Sequence, residues 1–261
     1  MNTQLDQPYT RIARIYDDIM RDVDYEGWSD YIDEIIQYHH PDAVDLLELG
    51  CGTGGHAIKL EELECYRIVA TDISPEMVRL AEEKASRLDA MIEFEVADFL
   101  NFQLNRFFDA IFLVFDSINY VHQPENLTSL FQSAENHLNP NGIFIFDFTT
   151  PSFSQKVEHS LNESSRRIDD IRYSRKSSWD PNNRMHTNLF TIETLDPQTG
   201  NVIKTEEETH RQKIHHPEEI ESVIADSGLK VEARYSDFDF TSVDDETDRI
   251  TMVLRKCPIT R

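Results

Sequence analysis

The chain has 261 residues, 39% of them hydrophobic, with 49 Asp+Glu against 25 Lys+Arg and a formal net charge of −24. That apolar content and the 15 Phe exclude a disordered acidic chain, and the length suits one large domain with an elaboration. The charge, with no Lys/Arg run longer than two, speaks against nucleic acid or an anionic membrane as partner, and no apolar run approaches the ~20 residues of a membrane helix.

Residues 1–8 lack the basic and apolar parts of a signal peptide. The three cysteines, Cys51, Cys65 and Cys257, form no C-x-x-C pair. A reducing, cytoplasmic setting is expected. Trp28, Tyr31, Ile32, Ile35 and Ile36 recur at helical spacing and predict an amphipathic helix over 27–39. An apolar strand over 44–49 runs into Gly50, Gly52, Gly54 and Gly55, half of the chain's 8 glycines. A second strand over 66–71 precedes Ser74-Pro75, an N-cap and N1 pair, and a helix with Met77, Leu80, Ala81 and Leu88 on one face. Strands are predicted over 91–96, 108–115 and 143–148, with a helix over 124–138 and a turn at Asn139-Pro-Asn-Gly142. After Pro151 the period becomes two. Residues 184–195 and 202–214 flank the turn cluster 196–201 and read as an antiparallel hairpin. A helix opening at Pro217 is expected to end with Gly228 at C′, followed by strands over 231–236 and 250–255. The whole reads as a Rossmann-like α/β domain. Residues 1–150 form N-terminal helices and a ligand-binding core, 151–215 an antiparallel β insertion, and 216–261 the last helix and closing strands.

Glycines at a strand-to-helix turn allow backbone to approach a ligand closely, and Asp72, at the end of the second strand, suits a ribose diol. Gly50-x-Gly52-x-x-Gly55 also fits the dinucleotide fingerprint. Three features favour a cationic sulfonium ligand instead. Glu48 stands two residues before the first glycine and would repel a pyrophosphate. Ala97-Asp98-Phe99 after the third strand suits an adenine. The chain closes with a strand pair.

On these residues the chain resembles the class I S-adenosylmethionine-dependent methyltransferases. The anchors are Leu47-Glu-Leu-Gly-Cys-Gly-Thr-Gly54, Ala70-Thr-Asp-Ile-Ser-Pro-Glu-Met77, Val96-Ala-Asp-Phe99, Phe108-Asp-Ala-Ile-Phe112 and Leu138-Asn-Pro-Asn-Gly-Ile-Phe-Ile-Phe146. The resemblance implies a seven-stranded, mostly parallel sheet of order 3-2-1-4-5-7-6. More narrowly, Ala13-Arg-Ile-Tyr16-Asp17, Phe115-Asp-Ser-Ile-Asn-Tyr120 and the insertion resemble small-molecule N-methyltransferases of the amino-sugar or glycine type.

The resemblance implies S-adenosyl-L-methionine as cofactor and S-adenosyl-L-homocysteine as product. Glu48, Gly50, Cys51 (through its backbone), Gly52 and Gly54 would surround its aminoacyl and sulfonium end. Asp72 would hold the ribose, with Ile73 and Met77 beside the adenine, Asp98 on its N6, and Phe99 and Phe115 against the ligand. Met77 and Phe99 also read as plain core. Tyr16 would close over the sulfonium, and Tyr16, Tyr120 and His122 are the candidate catalytic, positioning residues. Asn119, Tyr120, Tyr173, Trp179 and Arg184 are the candidate substrate contacts, although the insertion residues also suit a small core of its own. The acidic stretch 237–248 reads as a solvated loop or a pocket rim. His210, His215 and His216 with Glu218 read as strand and helix caps, and no metal is expected. Asn-Pro-Pro-Tyr and Asp-Pro-Pro-Tyr, which methyltransferases of base amino groups carry after the fourth strand, are absent. The expected activity is methyl transfer to a small nucleophile, nitrogen rather than oxygen. A protein or tRNA methyltransferase, an NAD(P)-dependent oxidoreductase and a non-catalytic cofactor-binding relative are the alternatives.

Overall fold

The computed structural model describes residues 9–157 and 160–257. The expectation for residues 1–8 falls outside them. A 3₁₀ turn, Ala13–Ile15, leads into α1 (Tyr16–Ile19) and α2 (Tyr25–His39), and the Asp24 carboxylate caps α2 by accepting from the Gly27 amide at 3.0 Å. Strands β1 (Asp45–Leu49), β2 (Arg67–Asp72), β3 (Ile92–Val96), β4 (Phe108–Leu113) and β5 (Leu138–Thr149) run parallel, joined by α3 (Gly55–Glu61), α4 (Pro75–Arg87) and α5 (Pro124–His137). After α6 (Pro151–Val157) come β6 (Glu163–Ile168), β7 (Ile171–Asp180), β8 (Met185–Leu195) and β9 (Val202–Lys213), a separate antiparallel sheet. Helix α7 (Pro217–Ile224) returns the chain to β10 (Leu229–Ser236) and β11 (Arg249–Lys256). The large sheet has the order β10-β11-β5-β4-β1-β2-β3, with β11 antiparallel to both neighbours. Numbered along the core alone, that is the expected 3-2-1-4-5-7-6.

Pleat alternation assigns the two faces of this sheet. Leu47, Leu49, Phe144, Phe146 and Phe148 point to the side covered by α5 and α7. Leu46, Ile143, Ile145 and Val253 point to the side covered by α2 and α3. On that second side the same alternation places Glu48, Asp147 and Arg249, charged side chains buried near the carboxyl ends of β1 and β5 and at the start of β11. A third cluster joins Ile12 and Ile15 to Tyr173, Phe190 and Ile192, so the N-terminal segment packs on the insertion.

Three local expectations are corrected. The Asn139-Pro-Asn-Gly142 segment lies inside β5 as a bulge, where the pairing jumps from Phe108–Leu138 to Ala110–Ile143. Leu88 is 60% exposed, and Val78 and Ala85 take the buried face of α4 with Met77 and Ala81. Helix α7 stops at Ala225, and Gly228 is not in the left-handed region. Gly228 instead lets Glu135 approach its amide, which donates to the carboxylate at 3.0 Å, and a Cβ there would collide with that side chain.

Candidate active site

The carboxyl ends of β1, β2 and β4 meet at a cavity of roughly 1000 Å³, counting the space at its mouth. This is the edge of a parallel sheet where ligands bind. Gly52 sits at φ 54°, a left-handed conformation that a side chain resists, and a Cβ there would meet the Tyr16 ring at 3.4 Å. Gly55 leaves room for Tyr25, whose ring would be 2.5 Å from an added Cβ. Asp17 accepts from the Thr53 hydroxyl at 2.6 Å and pairs with Lys84 at 2.7 Å, which pins α1 on the glycine loop and sets Tyr16 over it.

Asp72 anchors the loop from below. It accepts from the Gly52 amide at 2.9 Å and the Ser74 amide at 2.8 Å. Burial still raises its pKa, against those backbone bonds. Glu48 is 2% exposed, and its Oε2 has no hydrogen-bond partner. Burial, with Asp72 nearby, raises its pKa well above the usual carboxylate range despite the Ala57 amide. His56, which lines the same cavity, is 5% exposed, and its Nε2 is likewise unpartnered. Burial drops its pKa to about 4, so the ring is neutral at pH 7. A buried carboxylate oxygen lacking a partner suits a cationic amino group, and the acid on β2 can still accept hydroxyl donors. Asp98, whose Oδ1 takes only the Leu100 amide at 2.9 Å, stands at the exposed rim. The donor and acceptor set therefore fits S-adenosylmethionine.

Glu48, Gly50, Cys51, Gly52, Asp72, Ile73, Met77, Asp98, Phe99, Phe115, Tyr16 and Tyr120 all line this cavity. Gly54 stands just behind it as the left-handed N-cap of α3, with Phe94 and Ala81 3.2 Å from where a Cβ would be. Asn119, His122, Tyr173, Trp179 and Arg184 do not line this cavity. Asn119 is fully buried and braces the two sheets, donating to the Lys213 carbonyl at 2.7 Å and accepting from the Thr149 amide at 3.2 Å. His122 Nε2 meets the Arg211 carbonyl at 2.9 Å. Tyr173 fills the insertion's own small core, its hydroxyl donating to Asp18 at 2.9 Å. Trp179 lies beside His186 on the insertion, and Arg184 makes a two-pronged pair with Glu219 at 2.5 and 2.6 Å. His215 and His216 also diverge: the first meets the Val121 carbonyl at 2.9 Å, and the second caps α7 with Glu219. In the acidic loop, Asp237 takes the amides of Asp248 and Arg249 at 3.0 and 2.8 Å.

Two arrangements were not anticipated. Phe115 and Asp116 are consecutive non-glycine residues at φ 61° and 51°, a conformation that costs about 1–2 kcal/mol per residue. The Asp116 amide donates to Asp147 at 2.7 Å, and Arg249 bridges Asp116 and Asp147 at 2.8 and 2.6 Å. Trp28 lies 5.0 Å from the guanidinium. This buried bridge holds the turn that presents Phe115 to the cavity. Burial, outweighing Arg249, pushes Asp147 up to about 6. The second is Tyr9, whose hydroxyl meets Tyr120 at 2.7 Å on the cavity wall. An acid in the apolar strand 143–148 and a basic residue preceding 250–255 were the available signals for the first. The second had none.

Residues 46–142 match the model of a methyltransferase domain. The chain is similar to YqeM of Bacillus subtilis (strain 168), provisionally named a methyltransferase, at 26% identity over 95% of this chain and 97% of that one. It is similar to a dTDP-3-amino-3,4,6-trideoxy-alpha-D-glucopyranose N,N-dimethyltransferase of Streptomyces venezuelae, at 25% identity over 81% and 86%. A crystal structure of a S-adenosylmethionine-dependent methyltransferase from Clostridium acetobutylicum ATCC 824 superposes with a TM-score of 0.77 and 28% identity over 96% and 99%. The chain is a S-adenosylmethionine-dependent methyltransferase with the class I fold, and the oxidoreductase alternative is set aside.

Proposed function

We propose that this enzyme methylates the nitrogen of a small amine in the cytoplasm. When bound, S-adenosylmethionine supplies a methyl group already activated on a sulfonium. In this reading Glu48 takes the cofactor's amino group and Asp72 its ribose hydroxyls. Asp98 takes the adenine amine between Ile73, Met77 and Phe99. The backbone from Gly50 to Gly54 and the rings of Tyr16 and Phe115 close around the sulfonium. A neutral amine held in line at ~3 Å gains most of its acceleration from orientation and needs no strong base.

The observation that carries the reading is the wall opposite the glycine loop. Tyr9, Tyr16 and Tyr120, from three segments, narrow the space beside Glu48 and Asp72 and offer hydroxyls to a small acceptor. The net charge of −24 favours a cationic ligand. The amino-sugar specificity in the name of the Streptomyces venezuelae relative agrees with it. Three free cysteines suit a reducing compartment. Among the described residues no helix is long and apolar enough to cross a membrane. The test is incubation with labelled S-adenosylmethionine and a panel of amines, nucleotide-linked amino sugars, phenols and carboxylates. N-methylated product is expected from an amine. Label appearing only in protein or RNA of a lysate, or only on oxygen, would refute the reading.

A further inference from the structure

We propose that Glu208, His210, Tyr120 and Tyr9 form a directed proton path that carries away the proton released by the methyl acceptor; it rests on the amine reading above. Glu208 and His210 are the i and i+2 residues of β9 that turn inward, each 3% exposed. Glu208 lies 2.8 Å from His210 Nε2, His210 Nδ1 lies 2.9 Å from the Tyr120 hydroxyl, and that hydroxyl lies 2.7 Å from the Tyr9 hydroxyl. Tyr9 and Tyr120 both line the cavity, whereas Glu208 and His210 stand behind them.

The chemistry of the far end sets the direction of the chain. Glu208 also accepts from the amides of Tyr9, Arg11 and Ile12 at 2.6, 2.6 and 3.2 Å. Burial works against its charge, but His210 and the amides of Arg11 and Tyr9 prevail, and its pKa is lowered. An ionised carboxylate only accepts, so in the neutral ring His210 carries its proton on Nε2 and presents a lone pair at Nδ1. Tyr120 must then donate to His210, and Tyr9 donates to Tyr120. Every donor points away from the cavity, which leaves lone pairs on the tyrosine oxygens for a donor within it.

The balance is simple. As the bond from nitrogen to the methyl carbon forms, the carbon–sulfur bond breaks and its electron pair stays on sulfur. The positive charge moves to nitrogen. An N–H proton passes from that nitrogen to the tyrosine oxygens, and the Tyr120 proton passes to His210 Nδ1. The charge ends as an imidazolium beside the Glu208 carboxylate. The path works only while His210 Nδ1 holds a lone pair towards Tyr120. The titratable groups facing that ring are Glu208 on its own strand, Tyr120 and Tyr9, with Phe190 of β8 on the remaining side.

Two measurements on the full chain test the proposal. In the ¹⁵N-histidine spectrum with S-adenosylhomocysteine added, His210 should carry its proton on Nε2 at neutral pH; a proton on Nδ1 reverses the chain and overturns the path. In turnover of an accepted amine, His210→Asn and Tyr120→Phe should lower kcat at least tenfold with KM changed less than threefold. S-adenosylhomocysteine affinity within twofold of the parent identifies folded variants. If those variants keep the parent's kcat, the path is wrong. A parent enzyme that methylates no amine refutes the amine reading alone, and the ¹⁵N spectrum still decides the path.

Discussion

The cavity has two walls of different construction. The wall of the glycine loop comes from neighbours in sequence: Glu48, the glycines and Asp72 occupy one β-α-β unit, and Asp72 reaches Gly52 across only 20 residues. The opposite wall comes from distant segments, since Tyr9 meets Tyr120 across 111 residues and its amide meets Glu208 across 199. The first wall is stabilised by backbone geometry and is specified by a motif. The second is stabilised by one buried carboxylate that collects partners from separate elements.

The comparison breaks most readily at Glu208. Glu208→Ala leaves three amides and an imidazole without their acceptor and should cost about 4 kcal/mol, read as a lowered urea midpoint. A loss below about 1 kcal/mol would mean that the distant wall does not depend on it. Asp72→Ala probes the local wall and should weaken S-adenosylhomocysteine binding about 100-fold by calorimetry; unchanged affinity would remove Asp72 from the ribose role. His56 sharpens the contrast through pH. Its folded pKa of about 4 lies below the unfolded value of 6.5, so its contribution is full above pH 6.5 and is lost as pH falls towards 4. The loss should reach roughly 3 kcal/mol, and His56→Gln should flatten the unfolding midpoint over that window. The smallest effect belongs to Arg184→Ala. Its pair with Glu219 is partly exposed and lines neither wall, so less than about 1 kcal/mol should be lost and turnover should not change.

How much was legible in the sequence follows from the same division. The order of the large sheet and the positions of Glu48, Asp72, Asp98 and Phe99 could be read because strand, turn and helix carry local signals. The 3₁₀ turn Ser117–Tyr120 shows where such reading stops. Successive residues there diverge by about 120°, so Tyr120 reaches the cavity while Asn119 turns into the joint between the sheets. Tyr173 and Trp179 lie on β7, and which way such a strand faces depends on a partner that the insertion's sequence does not contain. That partner is the N-terminal segment through Ile12 and Ile15. Glu208 and His210 alternate correctly for one face of β9, but period two alone does not say that the face is buried.

The three amides held by Glu208 also bear on how ligands come and go. Lifting the segment from Tyr9 through Ile12 off the cavity wall would break all three bonds together. If that opening costs about 4 kcal/mol, the wall is open in roughly one molecule per thousand. For any ligand wider than the resting mouth, the clock for entry and departure is then set by a short stretch of chain detaching, and not by the chemistry inside.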